Sequence, residues 1–207
     1  MAKVLIAVPT FDGAVKARTF ESVANMDWGD HDVLYQSVTG YDCAAARSNI
    51  ADMTLKGKFD YVLMVDSDVV VPNDALTNLI EWDEPVVLGY YAHQGSFAPP
   101  MGIGKTCLCK PPSYHEQYTG EEMRSYREAG DYKVPVRGGG MGCALIRRDA
   151  FERTSYPWFK FVLYDDRHGV LSEDLYFCSQ VRNAGMRVWA DARVRCGHYF
   201  RHIEQMP

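Results

Sequence analysis

Asp66 and Asp68, separated only by Ser67, close an apolar run, Tyr61-Val62-Leu63-Met64-Val65. Two carboxylates this close repel, and each resists ionisation unless a cation joins them. A hard divalent ion that prefers oxygen, Mg²⁺ or Mn²⁺, suits such a pair. The run before them reads as a buried strand. Strands without polar alternation belong to parallel sheets covered by helices on both faces, and ligands of such sheets bind outside the carboxyl ends of the strands. Both aspartates sit at that end. The competing reading makes Asp66 a turn cap and Asp68 a solvated carboxylate.

Other elements must place this pair. Val4 to Val8 reads as the first strand, broken by the loop Pro9-Thr10-Phe11-Asp12-Gly13. A helix is expected from Ala14 to about Met26, and a second strand from Val33 to Val38. Asp42 suits the N-cap of a helix in which Cys43, Ala46, Ile50 and Met53 recur at helical spacing and would face the sheet; Gly57 would stop it. After the acidic strand end come a short helix to Ile80 and a strand from Pro85 to Tyr91. This β-α alternation predicts an α/β domain with a largely parallel sheet. From about residue 93 to 135 the pattern fails, and an irregular flap is expected, interrupted by a short helix near Glu121 to Ala129. Gly138 to Gly140 precede a strand, Cys143 to Arg147; Ser172 can cap a helix from Glu173 to Ala184 that Gly185 ends; Arg187 to Asp191 is the last strand. The whole chain, 1–207, reads as a single domain.

Composition excludes several classes. With 47% hydrophobic and 24% charged residues the chain is an ordinary globular one, and a net charge of −5 argues against a large phosphate-backbone footprint. No apolar run approaches the ~18 residues that span a bilayer, and the first apolar segment is too short for a signal peptide. The six cysteines form no C-x-x-C pair, and Cys107 and Cys109 read as loop thiols; a reduced, cytoplasmic protein fits best.

Five stretches, in order, resemble the nucleotide-sugar-dependent glycosyltransferases of the GT-A fold, most like the family 2-type group. They are Val8-Pro9-Thr10-Phe11-Asp12, Ala46-Arg47-Ser48-Asn49, Asp66-Ser67-Asp68, the span Gly139 to Arg148, and Glu173-Asp174 with the later Gly197-His198. The resemblance covers most of the chain and is weakest from His93 to Pro135. It implies a GT-A α/β fold, Rossmann-like, with a mostly parallel central sheet flanked by helices. It also implies transfer of a sugar from a nucleoside-diphosphate sugar, a UDP-sugar first, to an acceptor hydroxyl.

The resemblance assigns roles. Pro9, Thr10 and Ser67 would line the nucleotide, and Asp12 would contact base or ribose. Arg47 would pair with diphosphate or base, since guanidinium matches phosphate bidentately; an exposed helix arginine is the equal alternative. Gly139 and Gly140 would shape the floor where donor meets acceptor. A divalent ion, Mn²⁺ or Mg²⁺, would neutralise the diphosphate leaving group. Asp68 would bind it directly, Asp66 would bind it through water or meet the ribose, and His198 would be a further ligand favouring Mn²⁺. Asp174 would be the general base, giving inversion, with Glu173 orienting a neighbour or the acceptor. Asp165-Asp166 is a reserve pair for the acceptor. The acceptor stays open among saccharide, protein, lipid carrier and modified nucleic-acid base, and a homo-oligomer is compatible with the chain.

Two other functions stay in view. The strand-D-x-D pattern also resembles motif one of haloacid-dehalogenase-type phosphatases, with Asp66 as nucleophile; its place on a later strand and the following Val69-Val70 count against this. A catalytically inactive module that only binds nucleotide sugar is the other. Gly102 to Thr106 looks like a P-loop, but Pro99 stands where that pattern needs glycine.

Overall fold

Apolar runs at the predicted places become strands, and local caps fix the helices between them. The computed structural model describes residues 1–92, 105–163, 169–200 and 203–205. In chain order the first half runs Lys3–Thr10 (β1), Ala17–Ala24 (α1), Asp32–Thr39 (β2), Cys43–Lys56 (α2), Tyr61–Val65 (β3), Val69–Val70 (β4), Ala75–Ile80 (α3) and Val86–Tyr90 (β5). Then come Lys105–Cys109 (β6), Gln117–Thr119 (β7), Gly120–Ala129 (α4), Lys133–Val136 (β8), Gly138–Gly139 (β9), Cys143–Arg147 (β10) and Arg148–Glu152 (α5). The rest is Val162–Leu163 (β11), Val170–Leu171 (β12), Glu173–Asn183 (α6), Val188–Arg195 (β13), Gly197–Phe200 (β14) and Ile203–Gln205 (β15).

The Asp42 cap is as the sequence suggests, whereas Ser172 stands before α6 without a side-chain cap bond, its hydroxyl going to Asp174 instead. The Asp42 carboxylate accepts from the Ala45 N–H at 2.7 Å and opens α2. Thr119 and Glu122 form a reciprocal capping box on α4, which ends at Gly130 with φ of +80°. Gly185, φ +78°, follows the end of α6. On α2 the inward stripe takes Ala46 and Ile50 as expected. Cys43, however, is exposed at the helix start and Met53 is half-buried; Arg47 and Ala51 point inward instead.

Seven strands form the central sheet in the order β2-β1-β3-β10-β5-β13-β8. β2, β1, β3, β5 and β13 run parallel; β10 runs antiparallel between β3 and β5, and β8 antiparallel at the edge. Val62 to Val65 are wholly buried on β3, an interior strand between β1 and β10, each contributing about 1.5–3 kcal/mol of hydrophobic stabilisation. The strand expected last, β13, runs on to Arg195 through a register shift after Ala190, and β14 and β15 follow it.

The irregular flap is corrected over most of its length. Residues 105–135 hold β6, β7, α4 and β8; β6 pairs with both β7 and β9, and β8 joins the main sheet. Cys107 and Cys109 are therefore buried strand residues, not loop thiols. Residues 93–104 and the Asp165-Asp166 pair lie outside the described residues.

Candidate functional site

The Asp66-Ser67-Asp68 turn is held at every peptide. The Asp66 N–H donates to the Gly142 carbonyl at 3.0 Å, and the Lys16 N–H donates to the Ser67 carbonyl at 2.9 Å. The Tyr199 N–H donates to the Asp68 carbonyl at 2.9 Å. β4, just past the turn, pairs antiparallel with β14, with Val69 opposite His198. A two-residue strand thus brings His198 to Asp68 from the far end of the chain.

His198 Nε2 lies 3.6 Å from Asp68 Oδ2, and its Nδ1 lies 3.0 Å from the Ala92 carbonyl. A carbonyl only accepts, so Nδ1 carries a proton, and in the neutral ring Nε2 turns a lone pair to the carboxylate. Two acceptors face each other there unless a proton or a cation stands between them. Burial alone would lower the His198 pKa; the Asp68 carboxylate and the Ala92 carbonyl outweigh it and hold the ring above its ordinary value. A histidine that donates its other ring N–H to a backbone carbonyl has the outer-shell partner usual for metal ligands. Among the described residues no group of three or more His, Cys, Asp and Glu side chains is disposed to hold a metal ion. Asp68 and His198 together could supply two ligands, and an ion held by them would take the rest from phosphate and water.

Arg47 is placed differently from expectation. Its side chain is only 5% exposed, and its guanidinium joins Glu173 through Nη1 and Asp66 Oδ1 through Nη2, the latter at 2.7 Å. It is not among the residues lining the cavities described below. It ties α2 to the start of α6 and to the carboxyl end of β3. Burial pushes the Asp66 and Glu173 carboxyls above their ordinary values, with Arg47 opposing and the neighbouring carboxylates adding to the rise. Arg47 itself stays charged.

A cavity of about 610 Å³ opens over the carboxyl ends of β1 and β3. Pro9, Thr10, Asp66, Ser67, Asp68 and His198 line it, all read from the sequence. Asp12 does not: it is exposed, and its carboxylate accepts from the Ala14 N–H at 2.9 Å. A second cavity, about 230 Å³, shares Tyr91 and His198 with the first and holds Gly140, Ser172 and Asp174. Asp174 Oδ1 accepts from the Ser172 hydroxyl and from the Leu175 N–H, the latter at 2.8 Å. Glu173 is buried and faces Arg47.

The glycine run has an occupant already. A Cβ on Gly139 would meet Leu88 and Leu108 at 2.9 Å, and one on Gly140 would fall on the Tyr91 hydroxyl. Close packing of the protein on itself explains both glycines; Gly140 alone reaches a cavity.

Phe11, Tyr41, Asp42, Cys43, Tyr91 and Phe161 also line the larger cavity without having been singled out for it. Three of them, Phe11, Tyr41 and Asp42, belong to the loops after β1 and β2. The rule that ligands meet the carboxyl ends of parallel strands pointed to those loops, and large aromatics there, Phe11 and Tyr41, were the available signal.

No family model matches the sequence, and no protein of curated function does. Among solved structures the chain is similar to A197 from STIV, with a TM-score of 0.67 and 20% identity over 99% of this chain and 90% of that one. It is also similar to residues 1–349 of S. aureus TarS in complex with UDP-GlcNAc, with a TM-score of 0.50 and 12% identity. That match covers 91% of this chain and 55% of the TarS chain. At such identities the likeness is one of fold, and the chain has the α/β fold of GT-A type, its mostly parallel central sheet flanked by helices.

Proposed function

We propose that this chain is a metal-dependent glycosyltransferase that moves a sugar from a nucleoside-diphosphate sugar, a UDP-sugar first, to an acceptor hydroxyl. One observation carries the reading. Asp68 and His198, 130 residues apart, meet on the wall of a cavity at the carboxyl ends of parallel strands, and Asp174 stands in the cavity next to it. The similarity in fold to TarS, which holds UDP-GlcNAc, supports a sugar nucleotide as donor.

Asp68 and His198 would hold Mn²⁺ or Mg²⁺, which supplies charge neutralisation for the diphosphate. Thr10, Phe11, Tyr41 and Asp42, which line the larger cavity, would meet base and ribose, and Asp66 and Ser67 would lie toward the phosphates. Asp174 would take the proton of the acceptor hydroxyl, with inversion at the sugar carbon. Ser172 and the Arg47–Glu173 pair position it: one bonds its carboxylate, the other pins the first residue of its helix. The phosphatase alternative needs Asp66 as a free nucleophile, whereas its Oδ1 is engaged by Arg47.

The test is release of nucleoside diphosphate from a panel of sugar nucleotides with Mn²⁺. Turnover is expected, and Asp174→Asn should lower kcat by a factor of roughly 10²–10⁴ with nucleotide affinity retained. Thermal stabilisation by nucleotide without turnover would favour the binding module; a trapped phospho-Asp66 would favour the phosphatase. Absence of both turnover and stabilisation sinks the reading.

A further inference from the structure

A groove of about 720 Å³ lies between the first turns of α2 and the segment from Tyr156 to Phe161. None of the roles above uses it. Tyr41, Tyr156 and Phe161 line it while remaining 83%, 74% and 50% exposed. Single exposed aromatics are ordinary; three around one concavity mark a binding surface. The wall that carries them is fixed beforehand. Trp158 donates its ring N–H to the Phe151 carbonyl at 3.1 Å, and Tyr156 packs edge-on against Trp158 with centroids 5.6 Å apart. Phe159, between them and Phe161, stacks on Phe177 of the core at 4.7 Å. Rigid aromatic edges bind with little ordering cost.

The groove is continuous with the larger cavity, because Tyr41, Asp42 and Phe161 line both. Asp174 and Ser172 line the smaller cavity, and strand pairing relates them to the groove. In the β11–β12 hairpin Val162 pairs with Leu171, so the open end of the hairpin has Phe161 on one strand and Ser172 on the other. Ser172 bonds the Asp174 carboxylate. Strand pairing thus sets Phe161, at the edge of the groove, across from Ser172, which bonds the proposed base.

The opposite wall selects the chemistry. Ser48, Asn49 and Asp52 of α2 line it, and Asp42 stands at the shared rim. An alkyl chain would have to desolvate those polar groups without returning a hydrogen bond. A polyanion would meet the Asp42 carboxylate, the Asp52 carboxylate paired with Lys56 at 2.7 Å, and Lys160, whose ammonium lies over the Tyr176 ring at 4.8 Å. A neutral sugar chain satisfies both walls: the C–H faces of its rings pack on the aromatics, and its hydroxyls donate to carboxylate and amide oxygens. We propose that this groove is the acceptor site and that the acceptor is a neutral saccharide chain. This inference rests on the transferase reading for the word acceptor, but saccharide binding is testable without it.

Labelled protein would be applied to a glycan array spanning neutral hexose, N-acetylhexosamine, deoxyhexose and uronic acid chains. The best binder would then be titrated in solution by tryptophan fluorescence. Expected is binding of neutral chains, weakened about tenfold or more in Tyr156→Ala and abolished in Ser48→Trp, which fills the groove. Melting temperature and UDP affinity are followed in parallel to show that both variants are folded. Binding to no glycan overturns the proposal, as does binding that both variants retain, or capture of single-stranded nucleic acid in preference to neutral glycans. Glycan binding without any response to sugar nucleotides leaves the groove standing and sinks the transferase reading instead.

Discussion

Arg47 is one positive charge shared by two buried carboxylates, and its Nε has no hydrogen-bond partner among the described residues. Removing it leaves Asp66 and Glu173 uncompensated. Arg47→Met should therefore cost about 3–5 kcal/mol. Asp66→Asn should cost less than about 1 kcal/mol, because one carboxylate and one guanidinium remain matched and the amide oxygen still accepts. Urea unfolding at neutral pH measures both, and the reverse ranking would refute the clamp. The pH dependence has a definite sign. Asp66 and Glu173 hold their protons more tightly in the folded state. The stability they contribute is thus complete below the ordinary carboxylate pKa and is lost as pH rises through the raised values. Asp66→Asn should flatten that decline. The clamp itself was not legible in the sequence. Helical spacing placed Arg47 on α2, but its partner Glu173 is 126 positions away, and residue type alone made a phosphate contact equally good. Asp68 and Thr10 were placed at the cavity by their position at strand ends, whereas His198 was singled out only through the resemblance that the late Gly197-His198 carries.

At the scale of elements, β9 and the strands beside it explain a glycine run that resembled a ligand floor. Gly138 and Gly139 form β9 against β6, and the Tyr91 ring fills the space over Gly140 and Gly142. The Tyr91 hydroxyl accepts from the Gly142 N–H at 3.1 Å. Gly140→Ala drives a methyl group onto that hydroxyl and should cost about 1–3 kcal/mol. Tyr91→Phe forfeits the hydrogen bond, about 0.5–1.5 kcal/mol. In the double variant the oxygen that the methyl group meets is gone, and the nearest remaining ring atom stands 3.2 Å away. The double variant should then be less destabilised than the sum by about 1 kcal/mol, read from a denaturant-unfolding cycle; strict additivity would show that Tyr91 does not fill the space. The long apolar strands β1, β3 and β5 and the capped helices were readable from periodicity. The strands in 105–139 were not, since they mix Lys, Thr, Gln, Pro and Gly with few apolar residues and so lack the apolar run that marks β3 and β5.

Over the whole molecule the six thiols report how the fold divides inside from outside. Cys107, Cys109, Cys143, Cys178 and Cys196 are buried among core residues, and none of the six is in a disulfide. Cys43 alone is exposed, and it lines the cavity assigned to the donor. Burial raises its pKa, with Glu173 and Asp66 adding to the rise and Arg47 opposing it. Its thiolate fraction, and with it the reaction rate, should climb steadily as pH is raised past neutrality. A disulfide reagent at mildly alkaline pH is expected to titrate one thiol in the native protein and six after denaturation, and Cys43→Ser should remove the native signal. UDP with Mn²⁺ should slow that single reaction by shielding the cavity, whereas the sixfold titration of denatured protein should not respond. Labelling of more than one native thiol would contradict the packing of β6, β10 and α6 and of Cys196 between β13 and β14. Labelling of Cys43 at an unchanged rate under saturating nucleotide would take the donor out of this cavity, because no ligand bounded by Tyr41, Asp42 and Asp66 can leave the thiol between them open.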